Sequence, residues 1–182
     1  ILLREMLQKF ETSLDKFLQD SNLTLTDNQY DALISLTYNI GAGWMKDTRL
    51  SKLLQSGNYT NNEIASAIGI WCHVKENGVT SIHNGLVSRR IAEINVFLYG
   101  DYSGSDSGFC WVKFTSDKGS CERDIAFYET GSTCNPFFTA ECDDGDVFAG
   151  WYTSDGEELT ADMTVWQNLT VTARWQSEEF WY

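Results

Sequence analysis

No stretch of the sequence approaches the roughly 18 consecutive apolar residues that a membrane-spanning helix requires, so no transmembrane segment is expected. Positive charge is scarce too: 13 Lys and Arg stand against 26 Asp and Glu, for a net charge of −13. An acidic surface of that size repels polyanions and anionic bilayers, which excludes nucleic acid as a partner class. Histidine occurs only at His73 and His83, and no Cys-x-x-Cys pair is present. The spacing of ligands in a zinc site is therefore missing, and neither a metal nor another cofactor is expected. No secretory signal is visible. The chain opens at Ile1, inside an apolar-periodic segment, from which a preceding segment is expected.

What is present suffices for packed structure. Apolar residues make up 42% of 182 and aromatics 14%, which excludes global disorder. Cysteine is uneven: Cys72 is alone in the first half, while Cys110, Cys121, Cys134 and Cys142 crowd the second. Two disulfides among those four are expected, which implies an oxidising, extracellular setting and leaves three connectivities open. Cys72 is expected to be a buried thiol, since no acid–base set accompanies it.

The two halves follow different periodicities. Leu3, Met6, Leu7, Phe10, Leu14, Phe17 and Leu18 recur at spacings of three and four and predict an amphipathic helix. Ser21 and Asn22 break it. Thr26 or Asp27 caps a second helix from Asn28 to Ile40, which Gly41 and Gly43 terminate. Shorter helices are predicted over Thr48–Ser56, Asn61–Trp71 and Ser88–Leu98, with a loop from Glu76 to Gly85. Ser103–Gly108 reads as a flexible linker. Beyond it Phe109–Phe114, Val147–Tyr152, Thr164–Trp166 and Leu169–Trp175 have strand character, with turn chemistry at Asp143–Asp146 and Ser154–Gly156. The expected plan is an all-α lobe over 1–102, the linker, a small disulfide-stapled β-rich module over 109–175, and a tail over 176–182 that could dock through Phe180 and Trp181.

Leu25-Thr26-Asp27-Asn28-Gln29-Tyr30-Asp31-Ala32-Leu33, running on to Tyr38-Asn39-Ile40-Gly41, resembles a signature of glycoside hydrolase family 24, the phage-type lysozymes. Trp71, then Gly85-Leu86-Val87-Ser88-Arg89-Arg90, Glu93 and Phe97-Leu98-Tyr99-Gly100 continue the resemblance over about 100 residues in order. It implies the C-terminal lobe of an N-acetylmuramidase, preceded by the helix that joins the family's two lobes. The family's small lobe carries a Glu-Gly, a following aspartate, and a threonine in a Gly-Tyr-Gly-His-like stretch. This sequence contains no Glu-Gly or Gly-Tyr-Gly of that kind, and Glu157 lies in the wrong context to substitute. No catalytic residue is therefore assigned within the chain; the acid is expected upstream.

Phe148-Ala149-Gly150-Trp151-Tyr152-Thr153, Asp155-Gly156 and Leu169-Thr170-Val171-Thr172-Ala173-Arg174-Trp175 resemble a Listeria–Bacteroides surface repeat. That resemblance implies a small β-grasp-like module of bacterial surface proteins. Its four cysteines depart from the cysteine-poor repeat and could staple a core too small to stand alone.

Glycoside cleavage needs a proton donor at the leaving oxygen and, in most families, a second carboxylate. If the small lobe supplies these, the residues here form the opposite cleft wall. Asn39 is the first candidate, its amide holding a sugar or water; a helix C-cap is the alternative. Arg89 would sit against the acid or the sugar; the alternative is an ion pair with Glu93 four residues on. Trp44, after Gly-Ala-Gly, is a candidate sugar platform. Trp71, Tyr38 and Phe97 read as core, Arg90 as structural or surface, and His73 and His83 as without chemistry. Asp143, Asp144 and Asp146 read as a solvated turn and not a calcium loop. The function implied is cleavage of the β-1,4 bond between N-acetylmuramic acid and N-acetylglucosamine by a parent endolysin, with this chain inactive alone. Peptidoglycan strands are the expected partner, with the small lobe as a separate chain an additional candidate, at an extracellular or wall-associated location of bacterial or phage origin. Net charge excludes simple attraction to an anionic wall. The alternative is a non-catalytic glycan-binding or adhesion module.

Overall fold

The computed structural model describes residues 2–177. The chain divides into two compact units, Ile1–Ser107 and Gly108–Tyr182. Among the described residues no helix is long and apolar enough to cross a membrane.

The first unit contains α1 (Leu2–Asp20), α2 (Asp27–Ile40), a 3-10 turn (Ala42–Met45), α3 (Arg49–Ser56), α4 (Asn61–Gly69), β1 (His73–Glu76), β2 (Val79–Ile82) and α5 (Asn84–Tyr99). Threonine precedes three of the helices. At α4 the Thr60 amide donates to Glu63 Oε2 at 2.8 Å while the Glu63 amide donates to Thr60 Oγ1 at 3.1 Å, a reciprocal box that satisfies two orphan donors. Thr26 does the first half of this with Gln29 (3.0 Å), which places the start of α2 at Asp27. α2 buries Ala32, Leu33, Leu36 and Thr37 against α5, which buries Val87, Ile91, Ile94 and Phe97. Each such aliphatic or aromatic side chain contributes about 1.5–3 kcal/mol by leaving water. The stripe on α1 is buried only at Leu14 and Phe17; Leu3 and Met6, in its first turns, are exposed.

The expected plan of an all-α lobe followed by a β-grasp-like module does not hold. The first unit is mixed: β1 and β2 form an antiparallel hairpin with His73 opposite Ile82 and Glu76 opposite Val79. Asn77 and Gly78 turn it with φ of 50° and 81°. Two consecutive positive φ values are the signature of the tight hairpin turn that Asn-Gly favours, and a loop over 76–85 overlooks that signal.

The second unit is a mixed five-stranded sheet, ordered β5 (Ile125–Glu129), β3 (Phe109–Thr115), β9 (Leu169–Gln176), β7 (Val147–Tyr152), β8 (Glu158–Leu159), with a two-stranded ribbon of β4 (Ser120–Cys121) and β6 (Ala140–Glu141). β3 and β9 run parallel, Phe114 opposite Val171; the other pairings are antiparallel. Among its described residues this unit contains no helix. Alternation along β3 sends Cys110, Val112 and Phe114 inward, where they meet Trp151, Val171 and Ala173. Thr164, expected in a strand, forms a single bridge to Thr133. Of the tail, Gln176 ends β9, and Phe180 and Trp181 lie outside the described residues.

The two expected disulfides are not formed. Cys110, Cys121, Cys134 and Cys142 stand as thiols, Cys110 and Cys134 buried in the sheet core. Cys142 Sγ instead donates to Asp144 Oδ1 at 2.9 Å, and Lys118 Nζ bridges Asp144 and Asp146. The Cys142 and Lys118 donors hold the Asp144 carboxyl well below the usual carboxylate range. The acidic run is thus closed internally by a lysine. At Gly119, φ is +66° and an added Cβ would lie 2.1 Å from the Glu141 carbonyl oxygen. Gly119→Ala is expected to force β4 from β6 and lower the melting temperature of the second unit by several degrees, at about 1–3 kcal/mol.

Candidate functional site

The last turn of α2 brings Asn39 to the surface. The Gly41 amide closes that turn on Thr37 O at 2.8 Å, so the chain leaves the helix just beyond Asn39. A cleft of 540 Å³ opens there, lined by Asn39, Ile40, Ile70, Trp71, His73 and Leu86. Its wall is supplied by the end of α2, the segment from α4 into β1, and the first turn of α5. His73 Nδ1 lies 2.9 Å from Ile70 O, and a carbonyl can only accept, so that nitrogen carries the proton.

Beneath the cleft Arg90 is fully buried. Its Nη2 donates to Asn39 Oδ1 at 2.8 Å and to Glu93 Oε1 at 3.2 Å; its Nη1 donates to Trp71 O at 3.2 Å. Arg90 Nε and Glu93 Oε2 make a 2.8 Å ion contact whose alignment falls short of a hydrogen bond. Glu93 is 5% exposed and also accepts from Ser35 Oγ at 2.7 Å and Arg89 Nε at 3.3 Å. Burial pushes the Glu93 carboxyl above its usual value, against the pull of the Arg90 charge; burial likewise pulls the Arg90 guanidinium below its own. A guanidinium forced into the interior must place its donors on fixed acceptors. One of those acceptors is the Asn39 side chain, so Arg90 holds that amide by its oxygen.

The three residues expected on a sugar-binding wall have different fates. Asn39 lines the cleft. Arg89 does not: it lines a separate hollow of 270 Å³ with Asp31, Ser35, Glu93 and Tyr102. Its guanidinium is engaged by Glu93 and, at 3.5 Å, by Ser35 O, which is the ion pair that helical spacing allows. Trp44 is 1% exposed, donates from Nε1 to Thr37 Oγ1 at 2.9 Å and packs edge-on to Phe17 at 5.5 Å. It is core and cannot serve as a platform. Conversely, Trp71 and His73, read as core and as inert, line the cleft, and Arg90, read as structural or surface, is buried beneath it and bonded to Asn39 Oδ1 and Trp71 O. The Asn77-Gly78 turn is the signal that could have placed them, because the hairpin it closes begins at His73. Among the described residues no group of three or more His, Cys, Asp or Glu side chains could hold a metal ion.

The family model described as "Phage lysozyme" matches residues 1–93. An endolysin of Bacillus phage B103 is 37% identical over 100 residues, 55% of this chain and 35% of that protein. An endolysin of Acyrthosiphon pisum secondary endosymbiont phage 1 is 42% identical over 74 residues, 40% of this chain and 49% of that protein. Among solved structures, an endolysin from Escherichia coli O157:H7 phage FAHEc1 is similar at 33% identity with a TM-score of 0.49, over 55% of this chain and 60% of that one. The chain thus spans half or less of the length of the two curated relatives.

Proposed function

Because the chain belongs to the phage lysozyme family, we propose that its first unit is the substrate-binding wall of a peptidoglycan-cleaving muramidase. The observation that carries this reading is the Asn39 amide, held by the buried Arg90 at the mouth of a cleft beside Trp71. Asn39 Nδ2 donates to a sugar oxygen, and the half-buried Trp71 supplies an apolar surface for a sugar ring. Arg89 contacts a sugar or the acid only from the hollow it lines between α2 and α5. The bond cleaved is the β-1,4 link between N-acetylmuramic acid and N-acetylglucosamine, at the bacterial wall, without a metal or cofactor.

The acid that protonates the leaving oxygen is not one of the cleft residues. A glycosidase acid must reach the glycosidic oxygen. Among the described residues no carboxylate lines the cleft, and Glu93, though raised by burial, is engaged by Arg90, Arg89 and Ser35. The acid comes from a family segment outside this sequence. A binding-only role is the second reading, favoured by the same absence of a carboxylate from the cleft.

A turbidity assay on purified peptidoglycan, with intact mass recorded on the same sample, separates these readings. The chain alone is expected to bind walls without clearing them, and to clear them once a segment with the family's Glu-bearing lobe is added. Clearing by a single species of 20.7 kDa would sink the assignment of the acid to another segment. Binding that never becomes lysis on addition of that lobe would favour the second reading.

A further inference from the structure

The acidity of the chain is concentrated in the second unit, where four basic residues stand against fourteen acidic ones from 108 to 182. On it Trp166 is 70% exposed, the largest such fraction among the exposed large apolar side chains of its described residues. The indole is not on a loose loop. The Gly131 amide donates to Val165 O at 2.8 Å, the Val165 amide to Ser132 O at 2.8 Å, and the Cys134 amide to Met163 O at 2.9 Å. Val165 itself is buried, so the residue before Trp166 is anchored in the core. One side of the ring is backed by Gly131: a Cβ there would lie 3.1 Å from Trp166 Cζ3 and 3.3 Å from Cη2. The remaining surface of the ring is open to solvent.

Beside the indole is a hollow of 140 Å³, lined among others by Thr153, Glu157, Glu158, Leu159 and Met163. At roughly 30 Å³ per displaced water it holds a handful of water molecules, the scale of one sugar ring and not of a peptide segment. Met163 is 40% exposed and Leu159 is buried at the base, giving an apolar floor; Glu157 and Glu158 are exposed and give a wall of acceptors.

We propose that Trp166, Met163, Glu157 and Glu158 form a carbohydrate site for a pyranose that carries no negative charge, an N-acetylated or free amino sugar. The open indole takes the apolar C–H face of the ring, and the carboxylates accept from its hydroxyl or amine donors. A protonated amino sugar gains further from the carboxylates and from the ring quadrupole. The field of a unit this acidic repels uronic acids, phosphodiester polymers and nucleic acid, which sets the sign of the ligand. The site lies wholly within the second unit and does not rest on the reading of the cleft at Asn39.

The test is calorimetric titration of the full chain with the N-acetylglucosamine tetramer and with the fully deacetylated tetramer. Trp166→Ala is expected to weaken binding at this site at least tenfold with an unchanged melting curve, since the side chain is exposed. Glu157→Gln with Glu158→Gln is expected to weaken the amine-bearing tetramer more than the acetylated one, and that difference to shrink in high salt. Asn39→Ala reports on the cleft alone: loss there with Trp166→Ala silent overturns this inference and leaves the cleft reading standing, and the reverse does the opposite. Failure of both tetramers to bind saturably to a chain with Asn39→Ala also overturns it, as does concentration-dependent self-association that Trp166→Ala abolishes, which would make the indole a protein contact.

Discussion

Arg90→Ala is expected to lower the melting temperature of the first unit by more than about 10 °C. Arg90 and Glu93 are 0% and 5% exposed. Removing one member of a buried pair costs about 3–5 kcal/mol, and Glu93 would keep only the partly exposed Arg89 as a cationic partner. For a unit of this size each kcal/mol is worth roughly 4–8 °C. The same substitution frees the Asn39 amide and strips a donor from Trp71 O, so glycan affinity at the cleft falls with stability. The pH dependence has a definite sign. Burial already raises the Glu93 carboxyl, and losing Arg90 raises it further. A carboxyl whose folded value is raised stabilises the fold fully below its unfolded value of about 4.3, and that stabilisation is lost as pH rises through the folded value. The variant is therefore expected to melt higher at pH 5 than at pH 8. Arg90→Met combined with Glu93→Met removes both charges and is expected to recover most of the loss, as apolar replacements of buried pairs do. Melting curves of the two variants at two pH values check this; equal losses in the single and double variants would show that packing volume, and not charge pairing, is what Arg90 contributes.

Trp151→Ala is expected to unfold the second unit and leave the first intact. Trp151 is fully buried, its ring 4.9 Å from Phe114 and 5.0 Å from Phe148, and Nε1 donates to Phe138 O at 2.7 Å. Truncating such a side chain costs about 3–5 kcal/mol, and here it also orphans a carbonyl. A unit of this length has few kcal/mol to spare, and no disulfide ties its four thiols. Amide spectra should lose the dispersed resonances of 109–176 and keep those of 2–107. Retention of a folded sheet would mean that the core collapses around the gap, with Phe148 and Phe114 closing on it.

Local order was legible in the residues because it depends on near neighbours. The spacing of Tyr30, Leu33, Leu36, Thr37 and Ile40, with Thr26 before it and Gly41 after, determined α2; alternation along 109–115 and 169–175 determined β3 and β9. The hairpin at 73–82 was equally local: Asn77-Gly78 supplies its tight turn within the segment expected to be a loop.

The family signature could be read from the order of residues alone, since the positions up to Asn39 form a contiguous pattern. Exposure and partnership could not. Trp44 and Trp71 are both tryptophans near helix ends, yet one is sealed under Phe17 and the other lines a cleft, because that depends on which distant segment packs above each. Arg89 and Arg90 are adjacent in sequence, but α5 turns about 100° between them, so one reaches a hollow and the other the interior. Cysteine crowding likewise carried no pairing, because bonding needs the two Cβ atoms within a few ångströms, a relation that only the sheet decides. Sequence determined the elements and the family through interactions a few residues apart; burial, the Arg90–Glu93 pairing and the state of the thiols were decided by contacts between segments far apart along the chain.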